Sequence, residues 1–175
     1  MQPLLAASAA SLAILAASAQ AAPPPPACQG PEYRQFDFWI GHWDVYGPAG
    51  AKVGENLIEP FANGCGLIEN WTGGGGTTGK SLNMYDASDK QWHQAWVDSS
   101  GSRLLLDGHF ADGKMVLGSN GPNPAKPGTT LRQQITWSQA PDGSVRQLWQ
   151  TSVDEGKTWS TAFDGKYVKR APAAK

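Results

Sequence analysis

From Gln35 onward, short runs of aliphatic, aromatic and β-branched residues alternate with clusters of Gly, Asp, Asn and Pro. The turn signals recur at roughly 8–12-residue intervals, the mark of an all-β sandwich or barrel. Ten strands are predicted: Trp39–Tyr46, Ala51–Pro60, Gly66–Thr72, Lys80–Tyr85, Gln91–Val97, Arg103–Phe110, Lys114–Gly118, Thr130–Trp137, Val145–Ser152 and Thr161–Lys169. Asp86-Ala87-Ser88-Asp89, Ser100-Gly101, Asp112-Gly113 and Pro141-Asp142-Gly143 have hairpin-turn chemistry. No window keeps a helical period, and only Phe36–Ile40 suggests a short turn of helix.

Side chains on a strand change face at every residue. Trp92, Gln94 and Trp96 therefore share one face, as do Val145, Gln147, Trp149 and Thr151. On the eighth strand Leu131, Gln133, Ile135 and Trp137 oppose Arg132, Gln134 and Thr136. The mixture of indoles and amides is untidy for a dry sandwich core. It suits a single antiparallel up-and-down barrel with a partly polar interior. Outward Trp and Gln pairing across strands would give the same alternation.

Charge and composition narrow the classes. Fourteen Lys+Arg against fifteen Asp+Glu leave a net charge of −1, which speaks against nucleic acid as a partner. Residues 1–21 carry no charge, run through an Ala/Leu-rich stretch and end in Ala19-Gln20-Ala21, so they read as a signal peptide. Residues 22–35 form a Pro-rich arm, 36–170 the barrel and 171–175 a disordered tail. Export to the periplasm or medium follows, with no stable membrane association after cleavage. In that compartment Cys28 and Cys65 can bridge, although two free thiols remain the alternative.

Several strings resemble chemical motifs. Gly74 to Ser81 fits the phosphate-loop pattern, yet neither a buried parallel strand before it nor a helix after it is predicted. Ser152-Val153-Asp154-Glu155-Gly156-Lys157-Thr158-Trp159 resembles the Asp-box of sialidases, which implies a structural hairpin. His42 with Asp44 offers a metal or proton-relay pair, and Glu55, Glu59 and Glu69 an acid/base group, should they converge. Neither pattern assembles a catalytic constellation or a metal site by spacing alone.

The string Phe36-Asp37-Phe38-Trp39-Ile40-Gly41-His42-Trp43-Asp44-Val45 resembles the opening of an uncharacterised bacterial domain-of-unknown-function family, often exported. Ser81–Asp86, Trp92–Asp98 and Val145–Trp149 carry the resemblance further, across roughly Phe36 to Arg170. More distantly, Gly41-His42-Trp43 is similar to the G-x-W element of lipocalins and other calycins. That likeness implies a calycin barrel in which a basic residue of the last strand, Arg170 here, packs over the Trp43 face and closes the barrel. Ten strands match the nitrobindin-like branch better than eight-stranded lipocalins. Nitrobindins hold haem through a His near the C-terminus, whereas this chain has none after His109, so no cofactor is expected.

The combined reading is non-catalytic binding of a small, partly apolar ligand inside the barrel. Its expected lining is Asn83, Tyr85, Trp92, Gln94, Trp96, Arg132, Gln134, Gln147 and Trp149, with no catalytic or metal-ligating residue assigned. Two alternatives stand beside it. A structural or interaction barrel would be filled by its own side chains. An enzyme would place a carboxylate or His of strongly shifted pKa inside the cavity.

Overall fold

The computed structural model describes residues 27–170. The expected signal peptide, most of the prolines of the expected arm and the expected C-terminal tail lie outside the described residues. Ten antiparallel strands form a closed barrel: β1 (Gly41–Tyr46), β2 (Lys52–Phe61), β3 (Gly66–Gly73), β4 (Thr78–Asp86), β5 (Gln91–Asp98), β6 (Arg103–Ala111), β7 (Lys114–Pro122), β8 (Thr130–Gln139), β9 (Val145–Ser152) and β10 (Ser160–Lys169). Each strand pairs with its sequence neighbours, and β1 pairs with β10 to close the sheet. This is the up-and-down barrel that the alternating pattern predicts.

Strand ends differ in informative places. Strand β1 starts at Gly41, because Asp37–Trp39 forms a 3₁₀ turn, preceded by another at Pro31–Arg34. These turns fold the end of the arm back as a plug. Phe36 and Trp39 are fully buried and stack on each other, and both meet Trp137. Trp92 packs edge-on against Phe36 and donates from Nε1 to Gln35 Oε1 at 3.1 Å. One end of the barrel is thus sealed with aromatic rings. The Cys28–Cys65 disulfide ties the arm to the turn between β2 and β3 at that same end. Strand β7 runs on to Pro122, four residues past its predicted end at Gly118.

Closure differs from the lipocalin-like expectation in one residue. Trp43 is fully buried, pairs in register with Lys169, and carries the Lys169 ammonium 5.4 Å from its ring centroid. Arg170 follows the last strand and turns to the outer surface instead. Its guanidinium binds Asp44 at 2.8 Å and also Glu55, while its backbone N–H donates to His42 O at 2.8 Å. Parity explains the exchange. Lys169 is in phase with inward Tyr167 and Arg170 is one residue out of phase.

Candidate functional site

Inward positions are the ones in phase with the buried residues of each strand. On β2 they are Gly54, Asn56 and Ile58, and on β3 they are Leu67, Glu69 and Trp71. The register sets Ile58, Glu69, Ser81, Trp96 and Leu104 in one continuous row across five strands. Beyond the aromatic plug this interior is not filled. A cavity of about 380 Å³ opens toward the end that carries the β3–β4 and β5–β6 turns. Trp71, Trp96, Trp149, Phe163, Leu104 and Ile135 make its apolar wall. Gln94, Gln133, Gln147, Tyr167 and Glu69 supply polar groups, and Asp98, Ser102 and Arg103 line it from the β5–β6 side.

Glycines shape the wall. A Cβ on Gly79 would sit 2.2 Å from the Trp96 ring, one on Gly54 2.5 Å from Trp71, and one on Gly165 2.6 Å from Phe163. Each ring is therefore laid along the barrel wall in the space that a side chain would take. That arrangement keeps three large aromatics from filling the lumen. Trp71 and Phe163 meet edge to face, with centroids 6.2 Å apart.

The inner end of the cavity is a connected polar group. Glu69 accepts from Asn56 Nδ2 at 2.7 Å and from Ser81 Oγ at 2.6 Å. Asn83 donates to Ser81 at 2.9 Å, and Gln94 donates to Asn83 at 2.8 Å. Tyr167 donates to Gln147, and Asn56 also reaches the Tyr167 hydroxyl at 3.4 Å. Glu69 is 5% exposed and forms no ion pair among the described residues. Burial raises its pKa above the usual carboxylate range, more than the bonds from Ser81 and Asn56 lower it. Burial, with the nearby Glu69, also pushes the Tyr167 hydroxyl well above its ordinary value, so it stays a neutral donor.

Seven of the nine expected lining residues point inward. Gln94, Trp96, Gln147 and Trp149 bound the cavity itself. Asn83 lies within the polar group, and Tyr85 and Trp92 pack at the plugged end, Tyr85 against Tyr33. Arg132 and Gln134 are on the outer face, contrary to the expectation. The inner face of β8 is the one carrying buried Ile135 and Trp137, because Trp137 completes the plug around Phe36 and Trp39. Arg132 lies outside, beneath Gly156 of the last hairpin. Glu69, Trp71, Leu104, Gln133, Phe163 and Tyr167 also bound the cavity and were not among the expected lining residues, although Glu69 was a candidate acid.

The other candidates separate. Glu55 joins Lys52 and Arg170 on the outer surface, and Glu59 is exposed, so neither approaches Glu69. His42 and Asp44 share a face but are bridged by Arg170. His93 lies between Asp107 at 2.6 Å and Asp89 at 3.0 Å on the outer wall. None of the three histidines lines the cavity, so nitrobindin-style histidine ligation of haem has no donor there. The phosphate-loop lookalike is a hairpin: Gly73 N–H donates to Thr77 O, and Lys80 sits on β4 bonded to Asn70. In the Asp-box lookalike Asp154 receives the Thr158 N–H at 2.9 Å, the Thr158 hydroxyl at 2.6 Å and the Ser152 hydroxyl at 2.7 Å. Those bonds, the Thr158 hydroxyl foremost, hold its carboxyl down to about 2.

Among the described residues no helix is long and apolar enough to cross a membrane. Compared with protein-family models and with curated proteins, the chain matches none.

Proposed function

We propose that this is an exported, calycin-like barrel that binds a small, partly apolar molecule without transforming it. The observation that carries the proposal is the cavity of about 380 Å³, within the size range of small-ligand sites. Its chemistry is graded, with indole and phenyl rings along the wall and amides, a phenol and a carboxyl group deeper in. Such a wall suits an amphipathic ligand whose body lies on the rings and whose polar end reaches the Glu69–Gln147 network. The space also weighs against a barrel filled by its own side chains. Export is supported by the leader sequence, by the disulfide and by the resemblance to exported bacterial proteins.

One observation favours a second reading. A buried carboxyl group with a raised pKa, lining a cavity, is the kind of group that does acid–base catalysis. Binding is preferred because each Glu69 oxygen already accepts a bond, from Asn56 or Ser81, no imidazole lines the cavity, and its other carboxyl, Asp98, lies toward the β5–β6 turn. Native mass spectrometry on protein taken from its host's exported fraction tests the choice. A discrete adduct that leaves on mild denaturation supports the binder. Protein that arrives bare and yields no adduct with any extract of the host counts against it.

A further inference from the structure

Glu69 poses a problem that the binding reading alone does not answer. It is the only carboxyl group buried in the barrel interior among the described residues, and it has no basic partner there. Two donors occupy two of the roughly four lone-pair directions that a carboxylate offers. An isolated buried charge is costly, and the cost is relieved by a cation with N–H groups to fill the remaining directions. The wall beside it is made of Trp71, Trp96 and Phe163, whose rings attract positive charge through their π faces. Register puts Trp96 two strands from Glu69 in the same row, with Ser81 between them. Carboxylate and aromatic wall therefore face one and the same space.

We propose that the cavity takes an organic ammonium ion with an apolar body, a primary or secondary amine in its protonated form, bound through its N–H groups to Glu69 and through its body to Trp71, Trp96 and Phe163. This rests on the binding reading above and names its ligand class. An organic anion would meet an acid at the polar end, and a neutral ligand would give Glu69 no cation to ionise against. The groups facing Glu69 are Ile58 from β2, Ser81 from β4, Asn56 from β2 and Tyr167 from β10, of which only Tyr167 titrates. Asp98 and Arg103 also line the cavity, on the β5–β6 side, and are opposite in sign.

The ammonium ion demands an ionised Glu69, so below the raised pKa of the empty site its binding expels a proton. Calorimetry on the disulfide-bonded chain tests this with phenethylamine and tryptamine, against phenethyl alcohol and phenylacetate. The amines are expected to bind at least about tenfold tighter than the alcohol, with affinity rising about tenfold per pH unit while the empty site is protonated. Glu69→Gln is expected to erase both the preference and the pH dependence. The pH dependence is read on the unaltered chain, so a variant that fails to fold does not remove the test. The inference is overturned if alcohol and amine bind alike, if affinity falls as pH rises, or if neither amine binds at millimolar concentration. A native adduct that is a neutral molecule sinks this inference and keeps the binding reading; bare protein that binds no probe sinks both.

Discussion

Replacing Glu69 by Gln keeps the side chain's shape and removes its charge, so the energetic cost of the buried carboxyl can be measured directly. Unfolded, the group titrates near its ordinary 4.5. Folded, burial pushes it up, while the hydrogen bonds from Ser81 and Asn56 pull it down less strongly. The balance has physical sense: hydrogen bonds to a charged group contribute about 1.5–3 kcal/mol each, against several kcal/mol for taking an unpaired carboxylate out of water. A carboxyl whose folded pKa is raised binds more protons in the native state than in the unfolded one. Its contribution is fully present below the unfolded value and is lost as pH rises toward the folded value. Inside that window the folding constant falls about tenfold per pH unit, roughly 1–2 kcal/mol.

Urea denaturation of the ligand-free chain and of Glu69→Gln, followed by tryptophan fluorescence from about pH 5 to about pH 8, gives the difference. The two proteins are expected to be of similar stability at the acid end, with the variant gaining as pH rises until the folded pKa of Glu69 is passed. Asp86, Asp98, Asp142, Asp154 and Asp164 all have lowered pKa values and titrate below the window. His93 is lowered by burial but raised more by its bonds to Asp107 and Asp89, so it too costs stability as pH rises. It is common to both proteins and cancels in the difference. A variant less stable at every pH, or a difference independent of pH, would refute the argument and mean that Glu69 is ionised and adequately paired.

Three other perturbations read other parts of the structure. Replacing Cys28 and Cys65 by Ser opens a link across a sequence separation of 37, and loop-closure entropy sets the loss at about 4 kcal/mol. Calorimetry should show Tm lower by roughly 10 °C, and an unchanged Tm would mean that the plug holds the arm without the bridge. Gly79→Ala drives a methyl into the Trp96 ring and should cost about 1–3 kcal/mol in denaturant and weaken ligand binding, whereas Gly75→Ala, with nothing within 4 Å, should do neither. Equal stability of these two variants would remove the argument that glycines hold the rings against the wall. Asp154→Asn should speed amide exchange across residues 153–159, because Asp154 organises that hairpin. Its contribution is present above 3.8 and is lost as pH falls through about 2, so acidifying the unaltered protein should loosen the same amides, and unchanged protection in the variant would contradict it.

How far the sequence carried depends on which physical rule was available locally. Turn chemistry and period-two alternation are local, and all ten strands follow from them with shifts of a few residues at their ends. The plug is not local. Trp39 continues the apolar run of Trp43 and Val45, and only its stacking on Phe36 and Trp137 shows that it belongs to a 3₁₀ turn. Which face of a mixed strand points inward is likewise decided across the barrel. On β8 the amide and guanidinium side of Arg132 and Gln134 looked like a binding wall, but Trp137 is needed at the plug and takes the inner side with it.

Glu69 was legible in part. It stands two residues from Leu67 and from Trp71, an acid in phase with apolar neighbours, and phase is what separates it from Glu55 and Glu59. Those two alternate with Asn56 and Ile58 and so had to face outward once Ile58 was placed inside. What no local pattern contained is the missing counter-charge, because that is a property of nine other strands. An acid held inside a barrel by only neutral donors is the least economical feature of this fold. It makes sense if the ionised state belongs to the occupied protein, and the sign of a single pH dependence distinguishes that from a carboxyl group kept only as a neutral hydrogen-bonding partner.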